Sequence, residues 1–178
     1  MKKIKYIIPV FISALIACGG GGEPATESEE NGTEATETMS GAETDLTEYG
    51  MPFSIVVPDA GPGQVEIMAN DWGGVEIVKG ESYMMSIAYG EGDIDMLKFD
   101  MGEDLVYTSE IIEEGDNFVF YKREIPESGM APEYHFMVVY MMDGEAIELT
   151  NMKDVILGEE AARKMLNSAK TFKENAAG

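Results

Sequence analysis

The run "YHFMVVYMMDGEAIELT", Tyr134 to Thr150, decides the fold. Its two halves, "YHFMVVYMM" and "EAIELT", read as strands, and between them stands Asp143-Gly144, the dipeptide that a type I′ turn favours. The two strands are therefore expected to pair antiparallel. Just upstream, "LVYTSEII" and "NFVFYKREI" flank Glu113-Glu114-Gly115-Asp116 and read as a second hairpin. Further back, Phe53, Ile55 and Val57 make a strand that Pro58 and Gly61-Pro62-Gly63 stop, and Val65 and Ile67 begin another. "ANDWGG" turns, Val75 to Val78 forms a third strand, and Tyr83 to Tyr89 a fourth with apolar residues on both faces, which suits a central position.

Two segments carry helical spacing instead. Ile94, Leu97 and Met101 recur at that spacing, with Asp93 placed to cap. From Glu159 to Lys173, Ala162, Met165, Leu166, Ala169 and Phe172 share one face. Glu159 and Glu160 sit at the start of this helix and Lys170 and Lys173 at its end, as the macrodipole prefers. The expected class is α+β: one globular domain over residues 49–178, an antiparallel β-sheet with flanking helices. The opening "MPFSIVVP", the "VVYMMDGEAIEL" hairpin and the closing "EEAARKMLNSAKTF" helix resemble, as an order of elements, the Mog1/PsbP-like group of α/β/α sandwiches. That resemblance implies a binding or assembly-assisting module and supplies no catalytic residue to carry over.

The N-terminal third has a different character. Lys2, Lys3 and Lys5 precede an apolar region of twelve residues, Tyr6 to Ala17, too short to cross a bilayer, which needs about 20. Residues 1–17 read as a signal peptide. Leu15-Ile16-Ala17-Cys18 resembles the bacterial lipobox, which implies cleavage before Cys18 and a diacylglyceryl group on its sulfur. Cys18 is the only cysteine, so no internal disulfide competes for it. Two or more acyl chains, at about 0.8 kcal/mol per buried CH₂, hold a protein firmly to a membrane. Gly19 after the cysteine resembles lipoproteins sent to the outer membrane, on its periplasmic side or, with Glu23 opening an acidic run after four glycines, at the cell surface. Residues 18–48 are poor in large apolar groups and hold nine acids with no Lys or Arg, so they are expected to form a disordered linker. Its reach is roughly 30 Å as a coil and about 100 Å at full stretch.

Charge narrows the partners. The chain carries 12 basic and 34 acidic residues, a formal charge of −22. It is repelled by phosphates, which argues against nucleic acid and bare anionic lipid. The expected partners are the membrane, through the lipid on Cys18, and an envelope protein or small ligand.

Signals for chemistry are sparse. The single histidine, His135, lies inside a strand and reads as a core-edge residue rather than a catalytic one. No second histidine completes a zinc site, and neither a G-x-S-x-G elbow nor a phosphate-binding glycine pattern occurs. No cofactor or metal is expected. Glu91, Asp93, Asp95, Asp100, Glu103 and Asp104 form the densest acidic cluster of the folded part, without the spacing of a calcium loop, and read as a solvated face. Met84, Met85, Met137, Met141, Met142 and Met165 read as core filler. Trp72 reads as a partly buried loop anchor. The sequence thus favours a non-catalytic, membrane-tethered binding or assembly module of the cell envelope. The alternative is a carboxylate-dependent envelope enzyme acting on glycans, which requires two carboxylates about 5 to 9 Å apart in a pocket.

Overall fold

The computed structural model describes residues 39–59, 62–152 and 155–175. Among these residues ten strands and two α-helices follow one another in an α+β order. The strands are β1 (Gly41–Asp45), β2 (Phe53–Pro58), β3 (Val65–Ala69), β4 (Val75–Lys79), β5 (Tyr83–Gly90), β6 (Thr108–Gly115), β7 (Phe118–Glu124), β8 (Glu133–Met142), β9 (Glu145–Asn151) and β10 (Lys173–Glu174). Helix α1 (Ile94–Glu103) lies between β5 and β6, and α2 (Glu159–Ala169) between β9 and β10.

Seven strands make one antiparallel sheet in the order β3-β4-β5-β9-β8-β7-β6, and β1-β2-β10 make a small second one. The β8–β9 turn is as its dipeptide dictates: φ is +53° at Asp143 and +86° at Gly144, and Met142 pairs with Glu145. The β6–β7 turn falls later than "EEGD" suggests. A bulge between Ile111 and Glu113 shifts the register, and β6 runs on until Gly115 pairs with Phe118.

Strand alternation sorts side chains onto two faces of the large sheet. On β8, Phe136 and Val138 face the main core with Leu149, Ile87 and Phe120, while Met137 and Val139 face the other way with Val119 and Ala146. Helix α2 closes the first face through Ala162, Met165, Leu166 and Ala169, the stripe its sequence predicts. The helix ends sooner than expected, however: Lys173 is extended and pairs with Ser54 of β2.

The fold also takes in residues that composition assigns to the linker. Gly41–Asp45 pair with Ser54 to Pro58 of β2, and Leu46 behind them is fully buried. A strand without large apolar residues holds its place here through ladder hydrogen bonds, with Glu43 accepting from Ser54 Oγ at 3.0 Å. On the other edge of β2, side chains stand in for a full strand. Val56 N–H donates to Thr171 Oγ1 at 2.8 Å, and Val56 O accepts from Ser168 Oγ at 2.5 Å. With its proton so committed, Ser168 Oγ accepts from the Tyr83 hydroxyl at 2.7 Å. This buried chain ties β5, α2 and β2 together, and burial pushes the Tyr83 phenol up to about 12.

Candidate functional site

Helix α1 covers the second face only in part. Ile94 and Leu97 pack on Val119, Met137, Val139 and Ala146, and no residue of the helix is buried. Asp93 caps it as expected, Oδ1 accepting the Met96 N–H at 2.8 Å. Between α1 and the sheet a cleft of about 650 Å³ remains, lined by Met96 and Leu97 from the helix and by Tyr121 and Met137 from the sheet. Its size is that of a small-ligand or peptide side-chain site.

One wall is a polar cluster built from three adjacent strands. Asn151 Oδ1 accepts the Phe136 N–H at 3.2 Å, which turns the carboxamide nitrogen toward His135 Nδ1, 2.9 Å away. Nδ1 is therefore an acceptor, the imidazole proton sits on Nε2, and Nε2 points at Glu133 Oε2 at 3.4 Å. The same carboxylate oxygen takes a hydrogen bond from Arg123 Nε at 2.8 Å. Arg123 lies over the Tyr107 ring at 4.4 Å, and Tyr121 stacks on His135 with ring centres 5.4 Å apart. Burial, with the Arg123 charge adding to it, holds His135 below its ordinary value against the opposing pull of Glu133. The histidine is neutral with both nitrogens engaged, which fits a structural member of the wall and leaves no lone pair for a proton or a metal.

Carboxylates line the cleft as well. A Cβ on Gly90 would meet the Glu148 carboxyl at 2.3 Å, so glycine is what lets that carboxylate lie over β5, where Oε1 accepts the Gly92 N–H at 2.8 Å. Glu91, Asp93 and Asp100 also line the cleft. Asp104 instead closes α1, accepting from Val106 and Tyr107 N–H groups that hold its carboxyl below the usual range. Asp95 lies at a neighbouring hollow beside Lys98, and Glu103 is exposed. The acidic cluster is thus divided among a cap, a turn, two hollows and open solvent. Among the described residues no three His, Cys, Asp or Glu side chains gather closely enough to hold a metal ion.

Trp72 is not the buried anchor its context suggests: it is 90% exposed. The turn does not need the indole, because Asn70 Oδ1 accepts from both Trp72 N at 3.2 Å and Gly74 N at 2.7 Å. Met85 and Met165 fill the main core and Met137 the smaller one, as expected, but Met141 is exposed. Residues 1–38, with Cys18 and the segments expected as signal peptide and linker, lie outside the described residues. Among those described, no helix is long and apolar enough to cross a membrane.

Within the cleft, the sequence alone does not announce the Arg123–Glu133–His135–Asn151 cluster. Its members are up to 28 positions apart, and only the β7–β8–β9 register brings them together; the "KREI" run and the lone histidine give no hint of it alone. Compared with known proteins, the chain matches no family model, no curated protein and no solved structure.

Proposed function

We propose that this protein is a lipid-anchored, non-catalytic binding module of the bacterial cell envelope, held at a membrane through Cys18 and presenting the α1 cleft to its partner. The observation that carries the binding half is the division of labour in the cleft. Arg123, Glu133, His135, Asn151 and Glu148 are each engaged by other groups of the domain, whereas Met96 beside them is half exposed with Phe99 on the same helix. Engaged polar groups hold a shape, and uncovered apolar groups await a surface to bury against. The anchor half rests on the lipobox resemblance at residues 15–18 and on Cys18 being the only cysteine. An outer-membrane location rests on Gly19. Kinship with the Mog1/PsbP-like α/β/α group is part of the same proposal, supported by the element order and by one helix lying on each face of the sheet.

Two measurements test this reading. Mass spectrometry of the membrane-extracted chain is expected to find a diacylglyceryl thioether on Cys18; a free thiol on a protein that does not float with vesicles overturns the anchor. A photo-crosslinking side chain at Phe99 is expected to capture one envelope partner in cells where the same group at Lys164, on α2, captures none. Equal yields from both positions, or none from Phe99, overturn the binding face.

A further inference from the structure

Resting on that reading, we propose that the α1 cleft takes a short cationic peptide segment of a partner protein, one that sets Lys or Arg next to a large apolar side chain. The inference starts from the sign of the charge around an apolar cavity. Glu91, Asp93, Asp100 and Glu148 line the cleft against a single cation, Arg123, whose Nε already serves Glu133. Asp93 and Glu148 each take one backbone N–H; Glu91 and Asp100 bond no cation among the described residues. An anionic ligand would meet this row head-on, and a neutral apolar one would desolvate it without compensation. A cation beside an apolar body satisfies both parts of the site.

The apolar part selects a peptide over a small polyamine. Met96, Leu97, Tyr121 and Met137 give the cavity an apolar lining beside its carboxylates. A polyamine offers only thin methylene links to that lining, whereas a peptide sets a large apolar side chain beside its cation. Methionine suits such a surface, because its unbranched thioether adapts to more than one side chain.

The test uses the full chain with ¹³C-labelled methionine methyls. It is titrated with acetyl-Leu-Lys-Phe-Lys-Leu-amide, its Glu-for-Lys and Ser-for-Lys counterparts, and spermine. The Lys peptide is expected to shift Met96 and Met137 while leaving Met85 and Met165 of the main core unmoved. Its affinity is expected to fall about tenfold between roughly 50 and 500 mM salt. Asp100→Lys and Glu91→Lys, both on exposed positions that the fold does not lean on, are each expected to weaken it about tenfold. Spermine shifting the same methyls as strongly overturns the peptide assignment. A Glu or Ser peptide binding as tightly as the Lys peptide overturns the cationic assignment while leaving a binding cleft in place. Silence of Met96 and Met137 toward all four probes overturns the proposal, and the Phe99 crosslink then decides separately whether the cleft meets a partner at all.

Discussion

The two faces of the seven-stranded sheet are built from the same strands yet closed very differently. On the face under α2, twenty-one buried residues form one core, sealed by the helix stripe and by β2. On the face under α1, four do, with Ile94, Leu97 and Tyr121 packed partly against them. Each fully buried aliphatic side chain contributes about 1.5–3 kcal/mol, so stability resides on the first face. The second is left with polar groups that fix a shape and apolar groups that remain accessible. A sheet can thus assign folding to one side and recognition to the other, because strand alternation makes the two sides chemically independent.

The largest expected effect comes from breaking the first face. Leu149→Ala, beneath α2, should cost about 3 kcal/mol in urea unfolding. Leu97→Ala, its counterpart on the half-covered side, should cost about 1 kcal/mol or less. Equal costs would mean that the faces share the load. Next comes the chain that ties the two sheets: Ser168→Ala leaves Val56 O and the Tyr83 hydroxyl without their buried partner and should cost about 2 kcal/mol.

Acid sharpens the comparison on the cleft side. His135 has a folded value lowered by burial, so its contribution is complete above its ordinary 6.5 and is lost as pH falls through the lowered value. Burial and the Arg123 charge make the imidazolium the misfit species, and Glu133 only partly offsets them. Unfolding midpoints of the native protein should therefore begin to drop below about pH 6.5, while His135→Gln should stay level until carboxylates protonate. Parallel curves would remove the histidine from the account. The smallest effect is at the hairpin tip: Trp72→Ala should change stability by less than about 0.5 kcal/mol, since Asn70 and not the indole holds the turn.

Much of the first face was legible in the sequence, because it rests on local signals. Asp143-Gly144 forces its turn by backbone conformation, and the stripe from Ala162 to Ala169 states which side of α2 is buried. The Asp93 cap is equally local. What escaped depends on distant partners. "GAETD" has no large apolar residue to announce a strand and becomes one only because β2 offers it a ladder. The early end of α2 and the switch of Lys173 to an extended pairing follow from Phe53 and Ser54, more than a hundred positions away. The wall of the cleft was hidden for the same reason: His135 meets Asn151, Glu133 and Arg123 only through the pairing of three strands. Trp72 misled because an aromatic in a turn suggests burial, whereas the carboxamide of Asn70 had already supplied the restraint.

Native-state hydrogen exchange of the full chain addresses the division between the faces most directly. Amides of α1 from Leu97 to Met101 are expected to exchange by local opening, at least about 2 kcal/mol below the amides of β8 and β9 and with little dependence on denaturant. If α1 instead exchanges at the same free energy and with the same denaturant slope as those central strands, the cleft face is as much a part of the folding core as the other, and the central claim fails.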